Sequence, residues 1–319
     1  MTVDKKTDEV VPHQIDADRP TDDFFNFDEE VTEVATGEQF LAVKPWLGAI
    51  KEPEDHPAVN KSEPDSGYSL EYVYGYRCQD SRQNVYYNPE GKVVYMTACL
   101  GVILDQETNT QQFFGGGKVE NKSKQVANDL HHHTNDIMSM NVNTNGSREW
   151  AVTGQVGKWP AVFVWNTQTG EKRFRTKLAK DARAVAACAI SGDAKFIATA
   201  DRSDDHNVTI FNAESGEAVY GDKGGPDVIF DLAFNKQEGA CELYSAGHKH
   251  FAHWSVKNQK RKKGLFGDNP RCSFACVTTD DHGVAYAGGS NALIYVWGGN
   301  SIKRTLGFHG QGFVGAITW

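Results

Sequence analysis

No run of apolar residues in this sequence approaches the roughly 18 that a membrane-spanning helix needs. Its start, MTVDKKTDEVVPHQ, lacks the apolar stretch of a secretory signal. Cysteine is sparse: six residues (Cys78, Cys99, Cys188, Cys241, Cys272, Cys276), with no CxxC pair. Without an export signal these read as reduced, mostly buried thiols in a cytosolic or cytoskeletal compartment. A strong positive excess is missing too. The formal net charge of −9 argues against a polybasic nucleic-acid binder. Helical periodicity is nearly absent. No GxSxG, no Cys/His nucleophile pair and no paired carboxylates in a credible setting occur. The chain is therefore expected to be no enzyme, to need no cofactor and no metal, and to have neither nucleic acid nor membrane as a partner.

What is present is unevenly spread. Residues 1–70 hold 17 acids against 6 bases, whereas residues 71–319 hold 25 acids against 27 bases. Six of the ten prolines also lie in the first segment. Such composition buries too little apolar surface to offset backbone ordering entropy, so residues 1–70 read as an acidic, Pro-rich extended leader. Two aromatic islands interrupt it: Phe24, Phe25 and Phe27 in DDFFNFDEE, and Phe40 with Trp46 in FLAVKPWLGAI. They have the character of anchors that order on a partner surface; the second island is equally suited to pack on the chain's own body.

The body, residues 71–319, repeats. Short β-rich runs end in an aromatic at Trp165, Phe211, Trp254 and Trp297, at intervals of 46, 43 and 43 residues. Before each lie two further apolar runs, and a more polar one follows, with NTQTGE, NAESGE, SGDAK and GGNS as turns. Four short antiparallel strands per period is the signature of a WD-repeat β-propeller blade. The expected fold is all-β. Blades fall at about 71–115, 133–178, 182–222, 226–267 and 271–308, and a first strand of the next at 312–319. The blades are degenerate. The Trp-Asp pair is replaced by Trp165-Asn166, Phe211-Asn212, Trp254-Ser255 and Trp297-Gly298. His133 and His309 precede first strands, where a histidine side chain can lock a blade by hydrogen bonding.

The stretch EYVYGYRCQDSRQNVYYNPEGKVVYMTACLGVILDQET, residues 71–108, is the most specific. Its Gly75-Tyr76-Arg77, Asp80-Ser81-Arg82, Asn84-Val85-Tyr86, Gly91 to Tyr95 and Val102-Ile103-Leu104 closely resemble the HELP motif of the echinoderm microtubule-associated protein-like family. The resemblance continues through Val152–Val156, the Asp201–His206 turn, SAGHKHFAHW and Lys262–Phe266. It implies a structural role for Gly75, Tyr76, Arg77, Asp80, Arg82, Asn84, Tyr86 and Tyr95 inside a propeller. It further implies binding to tubulin and microtubules, or to other microtubule-associated or axonemal proteins, at a cytoplasmic, cytoskeletal address. The leader's reach and anchors favour the axoneme of a cilium or flagellum. A generic WD-repeat scaffold without direct tubulin contact is the alternative. Family members carry a tandem pair of propellers, about twice the length here. Five blades and one strand do not close a ring, so the missing blades are expected from a longer polypeptide or, failing that, another chain.

Other motifs carry less. Three consecutive imidazoles, His131 to His133, cannot easily converge on one ion, because alternate strand side chains point to opposite faces. His248, His250 and His253, and the pair Cys272 and Cys276 four apart on an expected strand face, are weaker metal candidates. Gly115 to Lys118 lacks phosphate-loop spacing and a following helix. Two basic clusters remain. Lys172, Arg173, Arg175 and Lys177, continuing to Lys180 and Arg183, lie on the outer strand and exit of blade two. Lys257, Lys260, Arg261, Lys262 and Lys263 lie in the hairpin of blade four. A charge run is usually a solvated face; read functionally, both suit contact with an acidic polymer.

Overall fold

A computed structural model describes residues 55, 67–78, 80–117, 131–179, 181–237, 241–307 and 312–318. The leader anchors Phe24, Phe25, Phe27, Phe40 and Trp46 lie outside these residues, as do Lys118, Lys180 and His309. Thr21–Val73 form a unit of their own, of which residues 67–73 carry neither helix nor strand.

The rest is built from antiparallel sheets of four strands each. The first holds β1 (Val85–Tyr87), β2 (Val93–Thr97), β3 (Leu100–Asp105) and β4 (Thr110–Phe114). The second holds β5 (Ile137–Val142), β6 (Trp150–Gln155), β7 (Ala161–Asn166) and β8 (Lys172–Lys177). The third holds β9 (Val185–Ile190), β10 (Phe196–Asp201), β11 (Val208–Asn212) and β12 (Ala218–Asp222). The fourth holds β13 (Ile229–Phe234), β14 (Glu242–Gly247), β15 (His250–Ser255) and β16 (Lys260–Lys263). The fifth holds β17 (Phe274–Thr279), β18 (Ala285–Gly289), β19 (Leu293–Gly298) and β20 (Ser301–Gly307). Strands follow chain order across every sheet, and among the described residues there is no helix.

Local chemistry sets the register. In blades two and three, Asn166 and Asn212 occupy the place of the aspartate in a Trp-Asp pair. Each side-chain oxygen accepts from two turn amides: Gln168 N (2.8 Å) and Thr169 N (3.0 Å), and Glu214 N (2.8 Å) and Ser215 N (3.1 Å). Four residues on, Gly170 and Gly216 take left-handed φ values of 71° and 73°, and the outer strand then begins. A Cβ at Gly170 would also lie 2.7 Å from the Phe113 carbonyl, so the turn and the seam with blade one are fixed together.

The core is divided rather than single. Val94, Met96, Ile103 and Phe114 of blade one pack with Ile137, Phe163 and Trp165 of blade two. Val152 and Val164 pack with Val185, Ile197 and Phe211; Ala198 and Ile210 with Leu232 and Trp254; Tyr244 and Phe251 with Phe274 and Trp297. Each cluster is thus a seam between successive sheets, the sheet-on-sheet burial expected of blades. The first strands β5, β9, β13 and β17 pack side by side and form the inner face. Sheets one and five share no such cluster among the described residues, so the blades form an open row and no closed ring. Residues 312–318 form no strand; the Val314 amide bonds to the Gly289 carbonyl at 3.0 Å, and no described strand runs beside them to make a ladder.

Candidate functional site

The inner strands are not laddered to one another, so their polar groups need side-chain partners. Ser139 donates to the Val185 carbonyl (2.8 Å), and Asn141 accepts from the Ile190 amide (3.2 Å), tying blade two to blade three. Thr279 donates to the Phe234 carbonyl (3.1 Å) between blades five and four. Asp231 on β13 accepts from the Val277 amide (2.7 Å) and the Leu232 amide (2.9 Å).

The segment around β1 reaches into this inner face. Arg77 grips Asp80 through Nε (2.7 Å) and meets Asp136 at 3.2 Å, while Asn84 donates to the Arg77 carbonyl. Gly75 (φ 78°) and Gln83 (φ 48°) make the left-handed turns on either side. Gln83 then donates to Asp231 Oδ2, the oxygen that also accepts from Val277, at 2.7 Å, and Arg82 stacks 5.2 Å from the centre of the Phe230 ring. Tyr86 donates to the Met140 carbonyl (3.3 Å), and burial raises its phenol pKa well above the ordinary value. Tyr95 meets Tyr76 edge to face at 6.5 Å. Burial lifts the Asp231 carboxyl to about 7, against the lowering effect of its three hydrogen bonds, from Val277, Leu232 and Gln83, and of the Arg82 charge. A cavity of about 500 Å³ opens beside Gln83, Tyr86, Asn141, Thr279 and Ile317.

The histidines have structural partners. In blade two, Trp165 Nε1 donates to Thr153 Oγ1 (3.2 Å), which leaves the hydroxyl proton for His133 Nε2 (2.8 Å). His133 Nδ1 then donates to Gln155 (2.9 Å), so both ring nitrogens are occupied. Burial holds this imidazole neutral, down to about 3. Blade four repeats the device with a histidine from another position. Trp254 donates to Ser245 (2.9 Å), and Ser245 meets His250 Nε2 at 2.8 Å; burial again lowers the imidazole to about 3. His248 turns to Ser273 (3.1 Å) and His253 to Glu242 (3.2 Å), so the three imidazoles of GHKHFAHW diverge. Cys272 precedes β17 and lies against Tyr295, whereas Cys276, past a bulge, contacts the Val314 carbonyl at 3.5 Å. The shared face expected for these two thiols is lost at that bulge.

The basic clusters divide into internal and outward members. Arg173 stacks on Trp150 at 4.7 Å and donates to the Ala194 carbonyl (3.2 Å) of the next blade; Arg175 lies 5.9 Å from the Phe163 ring centre. Lys172 and Lys177 are exposed, and Arg183 pairs with Asp204 at 3.1 Å. In blade four, Arg261 stacks on Trp254 at 5.3 Å and donates to the Lys223 carbonyl. Lys257, Lys260, Lys262 and Lys263 remain exposed. Sequence spacing missed the Gln83–Asp231 bond and the Ser245–His250 pair. The hydroxyl position is legible only through pairing, two residues past the one that faces the aromatic.

Fold and inner-face geometry define a WD-repeat propeller of the HELP-containing kind. The family model "HELP motif" matches residues 63–102. Among curated proteins, the ciliary WD repeat-containing protein ctxp80 of Euplotoides octocarinatus is 46% identical over 99% of this chain and 44% of its own length. Echinoderm microtubule-associated protein-like 2 of Rattus norvegicus is 28% identical over 78% of this chain and 38% of its own. The chain spans less than half the length of these relatives. A solved structure of U3-55K covers 74% of this chain and 68% of its own, with TM-score 0.54 and 14% identity, a likeness of fold alone. Together these matches support membership of the echinoderm microtubule-associated protein-like family, with its HELP motif and WD repeats.

Proposed function

We propose that this chain is a non-enzymatic, microtubule-associated structural element of the ciliary or flagellar axoneme, with its blades as a rigid platform. The observation that carries the reading is the 46% identity to a ciliary WD repeat protein along 99% of the chain. Direct contact with tubulin would fall to exposed lysines of the outer strands, Lys172, Lys177, Lys257, Lys260, Lys262 and Lys263, while Arg173, Arg175 and Arg261 act through packing. Each exposed ion pair contributes only ~0–1 kcal/mol, so retention rests on several at once and on repeated engagement along a polymer. Phe24, Phe25, Phe27, Phe40 and Trp46 are the proposed leader anchors to neighbouring axonemal proteins.

Co-sedimentation of the purified chain with microtubules tests the reading. Pelleting at low salt that declines as salt rises is the expected result. A chain that stays in the supernatant at low salt is instead a scaffold for other proteins. Loss of retention in salt-washed axonemes when residues 1–70 are deleted would support the anchors; unchanged retention would remove them.

A further inference from the structure

The outermost strands of blades four and five are joined end to end. Beyond β16 the chain continues to Leu265, which makes a parallel bridge to Ser301 at the start of β20. Leu265 N donates to the Asn300 carbonyl (2.7 Å), Ile302 N to the Leu265 carbonyl (3.4 Å), and Asn300 Nδ2 to the Lys263 carbonyl (2.9 Å). Because the bridge is parallel, β16 leads into it and β20 leads away in the same direction. Lys260, Lys262 and Lys263 therefore precede the bridge, and Lys303 and Arg304 follow it, on one rim. Counting residues, the line from Lys260 to Arg304 runs about 26 Å at the usual strand rise.

Three properties set this line apart. First, Lys260, Lys262, Lys263, Lys303 and Arg304 are all exposed, and none has a carboxylate within ion-pair distance among the described residues. Some bases elsewhere are paired, Lys92 with Glu90 (2.9 Å), Lys223 with Asp205 (2.7 Å) and Lys195 with Asp193 (3.6 Å), whereas exposed Lys158, Lys249 and Lys257 likewise have no such carboxylate among the described residues. Second, Leu265, 60% exposed, sits in the middle of the basic line. Third, β16 and β20 are the terminal strands of their sheets, so the line follows strand edges, a geometry that accepts an extended chain.

We infer that this composite rim of blades four and five is a binding track for an extended, acidic, glutamate-rich peptide segment carrying an apolar residue near its centre. The inference rests on the proposed contact with an acidic polymer, and it assigns Lys303 and Arg304 to that contact beside the blade-four lysines. About eight extended residues match the length of the track. A peptide fits better than a nucleic acid. Four of the five cations are lysines, point charges without the bidentate fork that reads phosphate, and residues 71–319 hold only 27 bases against 25 acids.

The test uses the full chain and a fluorescent poly-L-glutamate of about ten residues, read by anisotropy at low salt. Lys260→Glu/Lys262→Glu and Lys303→Glu/Arg304→Glu are each expected to weaken binding at least ~10-fold, with thermal unfolding unchanged. Lys158→Glu/Lys195→Glu, two exposed lysines outside the proposed contacts, is expected to change it less than ~2-fold. Equal losses in this control and the rim variants, no loss in the β20 variant, or no binding by the unaltered chain overturns the track. A single-stranded oligonucleotide of equal charge that binds more tightly than poly-glutamate overturns the peptide assignment. Microtubule co-sedimentation of the unaltered chain is scored separately: its failure with poly-glutamate binding intact removes the microtubule and leaves the track.

Discussion

Blades two and four differ from blades three and five in how they hold their central aromatic. In blade two, Thr153 stands two residues past Ala151, which faces Trp165; in blade four, Ser245 stands two past Leu243, which faces Trp254. Each hydroxyl joins the indole to a buried histidine. In blade three the equivalent Thr199 is kept, but Phe211 replaces the indole, and the hydroxyl instead approaches the Thr209 carbonyl at 3.4 Å. In blade five the indole is kept and the hydroxyl is lost. Ala287 holds that position, and buried Trp297 Nε1 has no partner. Its ring stacks on Phe251 at 3.8 Å instead. Aromatic burial is thus common to four blades, whereas the polar lock is complete in two. The lock is not a condition of the blade fold; it adds to seams that already close by packing.

The comparison can be broken most forcefully at Thr153. Thr153→Val strands both the Trp165 N–H and a His133 nitrogen, so it should destabilise by about 2–6 kcal/mol, at 1–3 per orphaned buried group. Thr199→Val, with no indole or imidazole waiting, should cost under about 1.5 kcal/mol. Urea midpoints for the two variants measure the difference, and equal costs would dissolve the distinction between locked and unlocked blades. Ser245→Ala orphans the corresponding pair in blade four, the Trp254 N–H and a His250 nitrogen, and should cost about as much as Thr153→Val.

A smaller effect is expected from pH. His133 and His250 stay neutral down to about 3 when folded, well below the ordinary 6.5. The unfolded chain therefore binds more protons as pH falls below 6.5, and stability drops progressively toward 3. Asp231 works in the opposite sense. Its folded value is raised to about 7 from 3.8, so its contribution is fully present below 3.8 and is lost as pH rises through 7. Asp231→Asn should therefore steepen the loss of stability between pH 7 and pH 5, read by thermal unfolding across that window. A shallower slope would contradict the assignment. The smallest effect is a gain. Ala287→Ser offers Trp297 the missing acceptor and should stabilise by about 0.5–1.5 kcal/mol, a shift of a few degrees at most for a body of this size.

Much of this architecture was legible before any coordinates. The aromatic period at Trp165, Phe211, Trp254 and Trp297 is a local pattern, and the turn asparagines act through neighbours two and three residues away. Other features depend on pairing across strands. That Ser245 serves Trp254 while Ala287 fails Trp297 follows from register, which residue spacing alone does not supply. Arg173 and Arg261 read as surface charge because a run of bases carries no sign of the ring beneath it; their stems and guanidinium planes are spent on Trp150 and Trp254. Lys303 and Arg304 escaped notice for the opposite reason. Two bases make no cluster until Leu265 brings them into line with a strand some forty residues earlier.

The bond between Gln83 and Asp231 runs from the segment entering blade one directly to blade four, past the two sheets between. In an open row each seam fixes only the angle between neighbours, and small errors add along the arc. A link between non-neighbours acts as the chord of that arc and sets its curvature independently of closure. Blade one can therefore hold the position from which a ring is drawn while the circle is still incomplete.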